Sequence, residues 1–485
     1  GKRVVLCHGT FDLMHTGHIR HLQRARQEGD ALVVTVTGDA YVNKGPGRPV
    51  FNEQLRAENL SALACVDHVA VSHAVTAIEA LNKVRPNIYA KGSDYRSHTD
   101  DVTGNIAREQ EAVEAHGGRL FYTDEITFSS SSLLNEHFGV FPPETREYLK
   151  AFRASWSDKD VHRMLKSLAG LKVLVVGDAI IDQYHYTASL GQTGKGNILA
   201  VRYLSEEQFA GGAIAVANHL AGFAGNVTLV TGLGTINSHE DFIRSKLLPN
   251  IDPVFFYMDG APTVTKRRFV DADLAKLFEV YFYNEDPVLG EAERKACSWL
   301  GRHIGDYDVV VVPDFGNGFV STDMNRLLCE RAKYLAVNTQ VNSGNRGFHV
   351  IHRYSRVDFA SLNEPEVRLA AHDRHDPLER VAEAVAGRVS AKCFAVTRGT
   401  KGMTMLDRER GVVHNVPALS TKVVDRIGAG DAFLSLASIC LGGGLPSQVA
   451  AFVGSAAAAL DVQIVCNREP VNMTALSKYI TTLLK

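Results

Sequence analysis

Short β-branched runs alternate with helical patterns in two series along this chain, and one charged segment opened by Pro142-Pro143 separates the series. That alternation constrains the fold most strongly, because strands that feed a helix and return parallel must be covered on both faces. In the first series the pattern predicts strands over residues 4–7, 32–37, 68–72, 88–91 and 120–122. Helices are expected over 17–27, 52–63, 77–84 and 106–115, with a further short one starting in 129–132. Segment 141–169 carries no strand signal and many charges, and reads as a helical linker. A new strand opens at 172–177, and βα alternation then runs to the C-terminus over about twice the length of the first series. The expected class is α/β, with domains at 1–140 and 170–485 joined by the linker.

Charge excludes one class of partner. Among 485 residues, 52 Lys and Arg face 54 Asp and Glu, a formal net charge of −2 with no long basic run, so nucleic acid is not expected as a partner. Seven widely spaced cysteines form no CxxC pair, which favours reduced thiols and a cytoplasmic location over zinc or a disulfide framework. The opening residues run from an apolar stretch straight into a motif, the pattern of a first strand and not of a signal peptide. The apolar stretch 449–465 is rich in Ala and is cut by Asp461, so it is expected as a packed core helix and not a membrane span.

Where the first strand hands over to the first helix, the chain reads His8-Gly9-Thr10-Phe11-Asp12-Leu13-Met14-His15-Thr16-Gly17-His18. His15 and His18, three apart at a helix start, share one face. The helix N-terminus attracts phosphate, and imidazoles there donate to phosphate oxygens and to a departing pyrophosphate. The competing reading is that the two histidines only cap and pack the first turn. The segment resembles the GxFDxxHxGH motif of the cytidylyltransferase-like nucleotidyltransferases, and further blocks of that family follow in order as far as about residue 138. By this resemblance Gly9, Thr10 and Phe11 border the nucleotide. Lys44 takes the place of the triphosphate-binding lysine, Lys91 and Asp94 belong to the KGxDY block, and Ser130, Ser131 and Ser132 form a phosphate-binding helix start. No arginine lies between Thr123 and Phe128, where glycerol-3-phosphate-type members carry one, so the sugar-phosphate branch is the closer likeness.

A second constellation, Asp425-Arg426-Ile427-Gly428-Ala429-Gly430-Asp431, precedes an apolar helical run. Its glycines allow successive N–H groups to face one anion, and an Asp at that mouth is placed to take a proton from an attacking hydroxyl. From about residue 171 onward the chain resembles the ribokinase-like, or PfkB, sugar kinases. The resemblance implies Asp431 as catalytic base, Gly428, Ala429 and Gly430 as the anion hole, and Asp182, Gly211 and Gly212 as sugar contacts. It places Asn363 and Glu366 in an NxxE element that organises Mg2+, and Thr397, Gly399 and Gly402 on the nucleotide side. Lys266 and Arg268 are candidates for a substrate phosphate, as is Lys195 in a glycine-rich lid, 191–197. Two departures stand out. Ala215 replaces an asparagine expected a few residues after Gly-Gly, and Asn338-Thr339-Gln340 replaces an expected Asp-Pro.

Together the halves imply consecutive steps: a Mg2+-dependent kinase using ATP, then a nucleotidyltransferase using ATP or CTP to make an NDP-sugar. The pairing resembles the heptose 7-phosphate kinase/heptose 1-phosphate nucleotidyltransferase family, in which the kinase comes first; here the order is reversed. The alternatives are synthesis of a CDP-alcohol from a polyol phosphate, and a kinase half retained only for sensing or dimerising. Homodimerisation through the kinase lid is a further implication of the resemblance.

Overall fold

In the first series the observed strands match the expected ones to within two residues. The computed structural model describes residues 1–42, 48–92, 105–123, 141–284, 290–345 and 347–485. Strands β1 (Val4–Gly9), β2 (Ala31–Thr37), β3 (His68–Ser72), β4 (Ile88–Gly92) and β5 (Arg119–Thr123) form one sheet in the order β3-β2-β1-β4-β5. Every neighbouring pair is parallel. The apolar run of β1 shows why both faces need cover. Val5 and Cys7 pack with Leu22 and Leu60 on one side, and Leu6 packs with Leu81 and Val113 on the other. Chain order runs outward from β1 to β3 and then jumps back to β4 across β1. Such a reversal opens a crevice at the C-terminal ends of β1 and β4, where open parallel sheets take their ligands. The expected short helix beginning in 129–132 lies outside the described residues.

Helices Pro143–Ser155 and Asp158–Ser167 occupy the segment rich in charge. Contacts group Gly1–Asp158 with Thr474–Lys485 as one compact unit and Lys159–Met473 as another. The end of the chain, assigned from sequence to the second domain, thus belongs with the first unit, and Arg153 Nη1 donates to the Lys485 carbonyl at 3.1 Å.

The second unit holds two sheets. Its strands are β6 (Lys172–Val176), β7 (Ala179–Gln192), β8 (Leu199–Gly212), β9 (Asn226–Ile236), β10 (Ile251–Pro262), β11 (Val264–Val270) and β12 (Lys276–Phe282). They continue with β13 (Val309–Asp314), β14 (Leu335–Thr339), β15 (Phe359–Asn363), β16 (Cys393–Thr397), β17 (Met403–Asp407) and β18 (Val412–Val416). The large sheet has the order β10-β9-β6-β13-β14-β15-β16-β17-β18, parallel from β10 to β16 and antiparallel beyond. The small sheet, β12-β11-β7-β8, pairs β7 with β11 in parallel and is otherwise antiparallel. Glycine-rich residues 191–197 form the tip of its β7–β8 hairpin.

Helix Ala213–Ala221 is buried along its whole length, and most residues of Ala429–Gly442 and Ser447–Asp461 are buried too, as their mainly apolar composition requires. Among the described residues no helix is long and apolar enough to cross a membrane. All seven cysteines are free thiols.

Two compact units with separate cores should unfold in two steps. Phe394 is fully buried in the core of the second unit, so Phe394→Ala is expected to cost about 3–5 kcal/mol there. Scanning calorimetry of the full chain should show two transitions, of which the variant lowers only one.

Candidate active sites

The first motif sits at the mouth of the β1/β4 crevice. His15 is the N-cap of helix Thr16–Arg26, and its Nδ1 accepts the Gly17 N–H at 3.1 Å. The capping reading therefore holds for one ring nitrogen of His15. Burial lowers the pKa of His15, which keeps the ring neutral, and with Nδ1 accepting, the proton resides on Nε2. The His18 ring lies 4.1 Å from that of His15 and 5.6 Å, edge-on, from that of Phe11. Phe11 itself takes a left-handed backbone conformation (φ 49°) that turns the chain from strand into helix.

Two residues of this unit went unassigned from sequence. Asp12 is buried and accepts the N–H groups of Val50 (2.8 and 2.9 Å) and Phe51 (3.0 Å), anchoring the loop just ahead of helix Glu53–Ser61. Arg56, fully buried, donates to the carbonyls of Thr10 (2.6 Å), Thr37 (2.8 Å) and Phe51 (2.8 Å) and to Asp39 Oδ1 (2.6 Å). One guanidinium thus ties the ends of β1 and β2 to the same loop. An arginine on a helix ordinarily reads as solvated, so only tertiary contacts could reveal this role.

Lys91, near the end of β4, is nearly buried. Its Nζ lies 3.0 Å from Glu109 Oε2, which also accepts the Tyr89 hydroxyl at 2.9 Å. The same charge, added to burial, holds His21 down to about 4. Lys44, Asp94, Ser130, Ser131 and Ser132 lie outside the described residues.

In the second unit the glycine turn opens helix Ala429–Gly442. Gly428 has φ 101°, and a Cβ there would overlap the side chains of Asn467 and Asp461, so any other residue would be strained and would displace them. Ala429 and Gly430 complete the turn, and Asp431 stands in the first helical turn. Its pKa is pushed up to about 7, first by burial and then by the carboxylates of Asp182 and Glu366, with Lys266 opposing.

Asp182 (β7) and Lys266 (β11) face one another in register, and both are buried. Arg268, one turn of the pleat farther on, pairs with Asp182 and, at 3.0 Å, with Glu279. A Cβ on Gly211 would strike the Asp182 carboxylate, and one on Gly212 (φ 60°) would strike the Asp178 carbonyl. The small sheet therefore presents an anion, two cations and two glycines together. Lys195 does not join them. It is exposed at the hairpin tip, separated from Asp182 by roughly 30 Å of extended strand.

Asn363 and Glu366 form a reciprocal capping box on helix Glu364–Ala371, each accepting the other's backbone N–H at 2.9 Å. Glu366 Oε1 also takes the Val341 N–H at 3.2 Å, and burial raises this carboxyl to about 7. Asn363 pairs in register with Thr397 at the end of β16, and Gly399 (φ 58°) and Gly402 (φ 79°) shape the turn that follows. No cluster of three or more potential metal-ligating side chains occurs among the described residues. Both Glu366 oxygens already accept backbone N–H groups, so this carboxylate has only its remaining lone pairs, or a bridging water, to offer a magnesium ion carried on phosphates.

The departures also have structures. Ala215 is buried inside its helix. Asn218 does not replace the missing asparagine, since its side chain bonds to Lys246 and Leu248. Asn338 donates to the Ser361 carbonyl at 2.8 Å, and the chain beyond it turns through Asn342 and Asn345, both bonded to the Phe315 carbonyl.

Residues 171–466 match the pfkB family carbohydrate kinase model, and residues 6–136 match the cytidylyltransferase-like model. The protein named bifunctional protein HldE from Syntrophotalea carbinolica is 41% identical over 138 residues, 28% of this chain and 27% of that protein. Its namesake from Pelobacter propionicus is 43% identical over 122 residues, 25% of this chain and 24% of that protein. These matches span about a quarter of the length of the curated relatives. A putative ribokinase from Agrobacterium tumefaciens superposes with a TM-score of 0.52 at 19% identity, covering 64% of this chain and 97% of that one. Phosphofructokinase-2 from Escherichia coli in complex with fructose-6-phosphate gives 0.52 at 15%, covering 65% and 100%. Both likenesses concern the fold. The pfkB match takes in more than half of the residues and contains the glycine turn, the small sheet and the capping box, and on that ground the chain belongs to the pfkB family of carbohydrate kinases, with a cytidylyltransferase-like domain ahead of the kinase fold.

Proposed function

We propose that the chain is a bifunctional enzyme of activated-sugar synthesis. The second unit phosphorylates a sugar or sugar phosphate, of the heptose 7-phosphate kind, with ATP. The first joins a sugar 1-phosphate to ATP or CTP, releasing pyrophosphate and leaving an NDP-sugar. The observation that carries the kinase reading is the carboxylate of Asp431 at the mouth of a glycine turn, raised to about 7 beside Asp182.

Asp182 accepts hydroxyls of the sugar, and Lys266 and Arg268 offer positive charge to a phosphate already on it. Ionised Asp431 takes the proton of the attacking hydroxyl as its oxygen bonds to the γ-phosphorus and ADP departs. The N–H groups of Gly428, Ala429 and Gly430 hold the transferred phosphoryl oxygens. A bound magnesium ion would neutralise charge on the triphosphate, with Glu366 holding it.

In the first unit, attack by a sugar phosphate on an α-phosphate builds negative charge on oxygen. In this reading the Nε2–H of His15, the ring of His18 and the positive end of helix Thr16–Arg26 meet it. Lys91, Lys44, Asp94 and Ser130–Ser132 complete the nucleotide site in this reading, around Gly9, Thr10 and Phe11. Reduced thiols and NTP-dependent chemistry suit a cytoplasmic enzyme. A homodimer is favoured by the face of the small sheet opposite Asp182, where Tyr203, Phe278, Val280 and Phe282 are exposed.

Product mass spectrometry with Mg2+, ATP and CTP over a panel of sugar phosphates and polyols tests the whole. His18→Ala should abolish NDP-product while sparing ADP formation, and Asp431→Asn should do the reverse when a 1-phosphate is supplied. A CDP-alcohol as the sole product would overturn the sugar assignment.

Asp431→Asn is expected to lower kinase turnover by about 10²–10⁴-fold. The base must be ionised to work, so its raised pKa moves the acidic limb of the kinase pH profile from about 4 to near 7. Kinase kcat/KM should rise with pH through that region, whereas a limb near 4 would contradict the assignment. Val280→Glu should convert the dimer to a monomer in light scattering; a wild-type monomer refutes the pairing.

A further inference from the structure

The small sheet and the glycine turn come from distant parts of the chain, yet both end on one carboxylate. Asp425, buried, opens the turn, and its Oδ1 accepts the N–H groups of Arg426 (2.7 Å) and Ile427 (3.2 Å), which lead directly into Gly428. Its Oδ2 accepts the Cys466 N–H at 3.2 Å and the Tyr184 hydroxyl at 2.7 Å. Tyr184 lies on β7 two residues after Asp182, with its ring edge-on to Phe209 of β8 at 5.3 Å. Lys276, the first residue of β12, brings its Nζ to 3.6 Å from Asp425 Oδ1. A third strand of the sheet joins the same region, where Glu207 of β8 pairs with Arg468.

A buried carboxylate is stable only with its charge balanced and its oxygens occupied. For Asp425 the balancing cation and the short hydroxyl bond both come from the small sheet. The carboxylate's orientation therefore depends on where that sheet sits, and the N–H groups leading into Gly428 depend on the carboxylate.

We infer that Tyr184 and Lys276 are positioning residues for phosphoryl transfer: through Asp425 they set the Gly428–Gly430 turn when the sheet bearing Asp182, Lys266 and Arg268 is seated. The inference rests on the kinase reading above. It links sugar binding to phosphate holding through two residues assigned to neither, although the Arg268 guanidinium lies over the Tyr184 ring at 5.6 Å, a contact that Tyr184→Phe preserves.

Two variants of the full chain test it. Tyr184→Phe keeps the ring against Phe209 and removes one hydroxyl, and Lys276→Met keeps the stem and removes the charge. Amide exchange across residues 425–431 should accelerate about tenfold in each, the scale of one hydrogen bond to a charged group, with residues 393–416 unchanged. With the acceptor identified by the product panel, kcat should fall about tenfold while KM for ATP holds within about twofold, and the double variant should fall no further than the worse single one. Unchanged exchange at 425–431 in both variants, or equal acceleration at 393–416, overturns the inference. If Tyr184→Phe fails to fold, Lys276→Met, whose side chain is partly exposed, decides alone. A wild-type chain that binds no MgATP in calorimetry would refute the kinase reading, and the exchange result would still decide this one.

Discussion

Buried charge organises the second unit. Burial, and after it the fields of Asp182 and Glu366, raise Asp431 toward neutrality, and Lys266 opposes them. None of these groups would be stable alone in an apolar interior. Arg268 ties down Asp182 and backbone N–H groups occupy both oxygens of Glu366, whereas Asp431 stands at the mouth of the glycine turn with its carboxyl raised to about 7. The glycines follow from this crowding. Gly211 leaves room for the Asp182 carboxylate, and Gly428 leaves room for Asn467 and Asp461 behind the turn. A proton acceptor and an anion-holding turn thus arise from one packing problem, how to set several carboxylates around a space that a phosphate must enter.

The first unit solves a related problem with a cation. Arg56 is completely buried and spends its donors on three carbonyls and Asp39, so the ends of β1 and β2 and the loop reaching Asp12 are held as one piece. Lys91 has Glu109 as its counter-charge, which holds its ammonium near the end of β4. Strand order supplies the rest. Because β4 returns to the far side of β1, the motif following β1 and the lysine of β4 share one edge of the sheet although some 70 residues separate them.

Much of this was legible in the residues. The β-branched runs located all five strands of the first sheet, since a strand covered on both faces must be apolar along its length. Glycines 211, 212 and 428 were readable from their motifs, the Gly-Gly pair and the glycine turn, whereas the groups they make room for lie some 30–40 residues away in the chain. The dual nature of Asn363 and Glu366 was only half legible: the spacing N-x-x-E that points to a metal site is also the spacing of a capping box, and the structure shows the box. His15 repeats that lesson, capping its helix with one nitrogen. Lys195, expected in a lid reaching a substrate phosphate, stands instead at a hairpin tip, because its distance from Asp182 is set by hairpin length and not by local composition.

What the amino-acid sequence determined by itself is everything carried by short-range physics: strands and helices from periodicity, turns from glycine, caps from side chains three residues apart, and the identity of the groups able to do chemistry. Only the tertiary structure decided which charges are buried together. That Arg56 grips the ends of β1 and β2, that Glu109 faces Lys91, that Tyr184 and Lys276 meet Asp425, and that the last helix belongs with the first unit all depend on contacts between residues far apart in the chain. A pKa near 7 on Asp431 has the same origin, because desolvation and the fields of distant carboxylates exist only once the chain is folded.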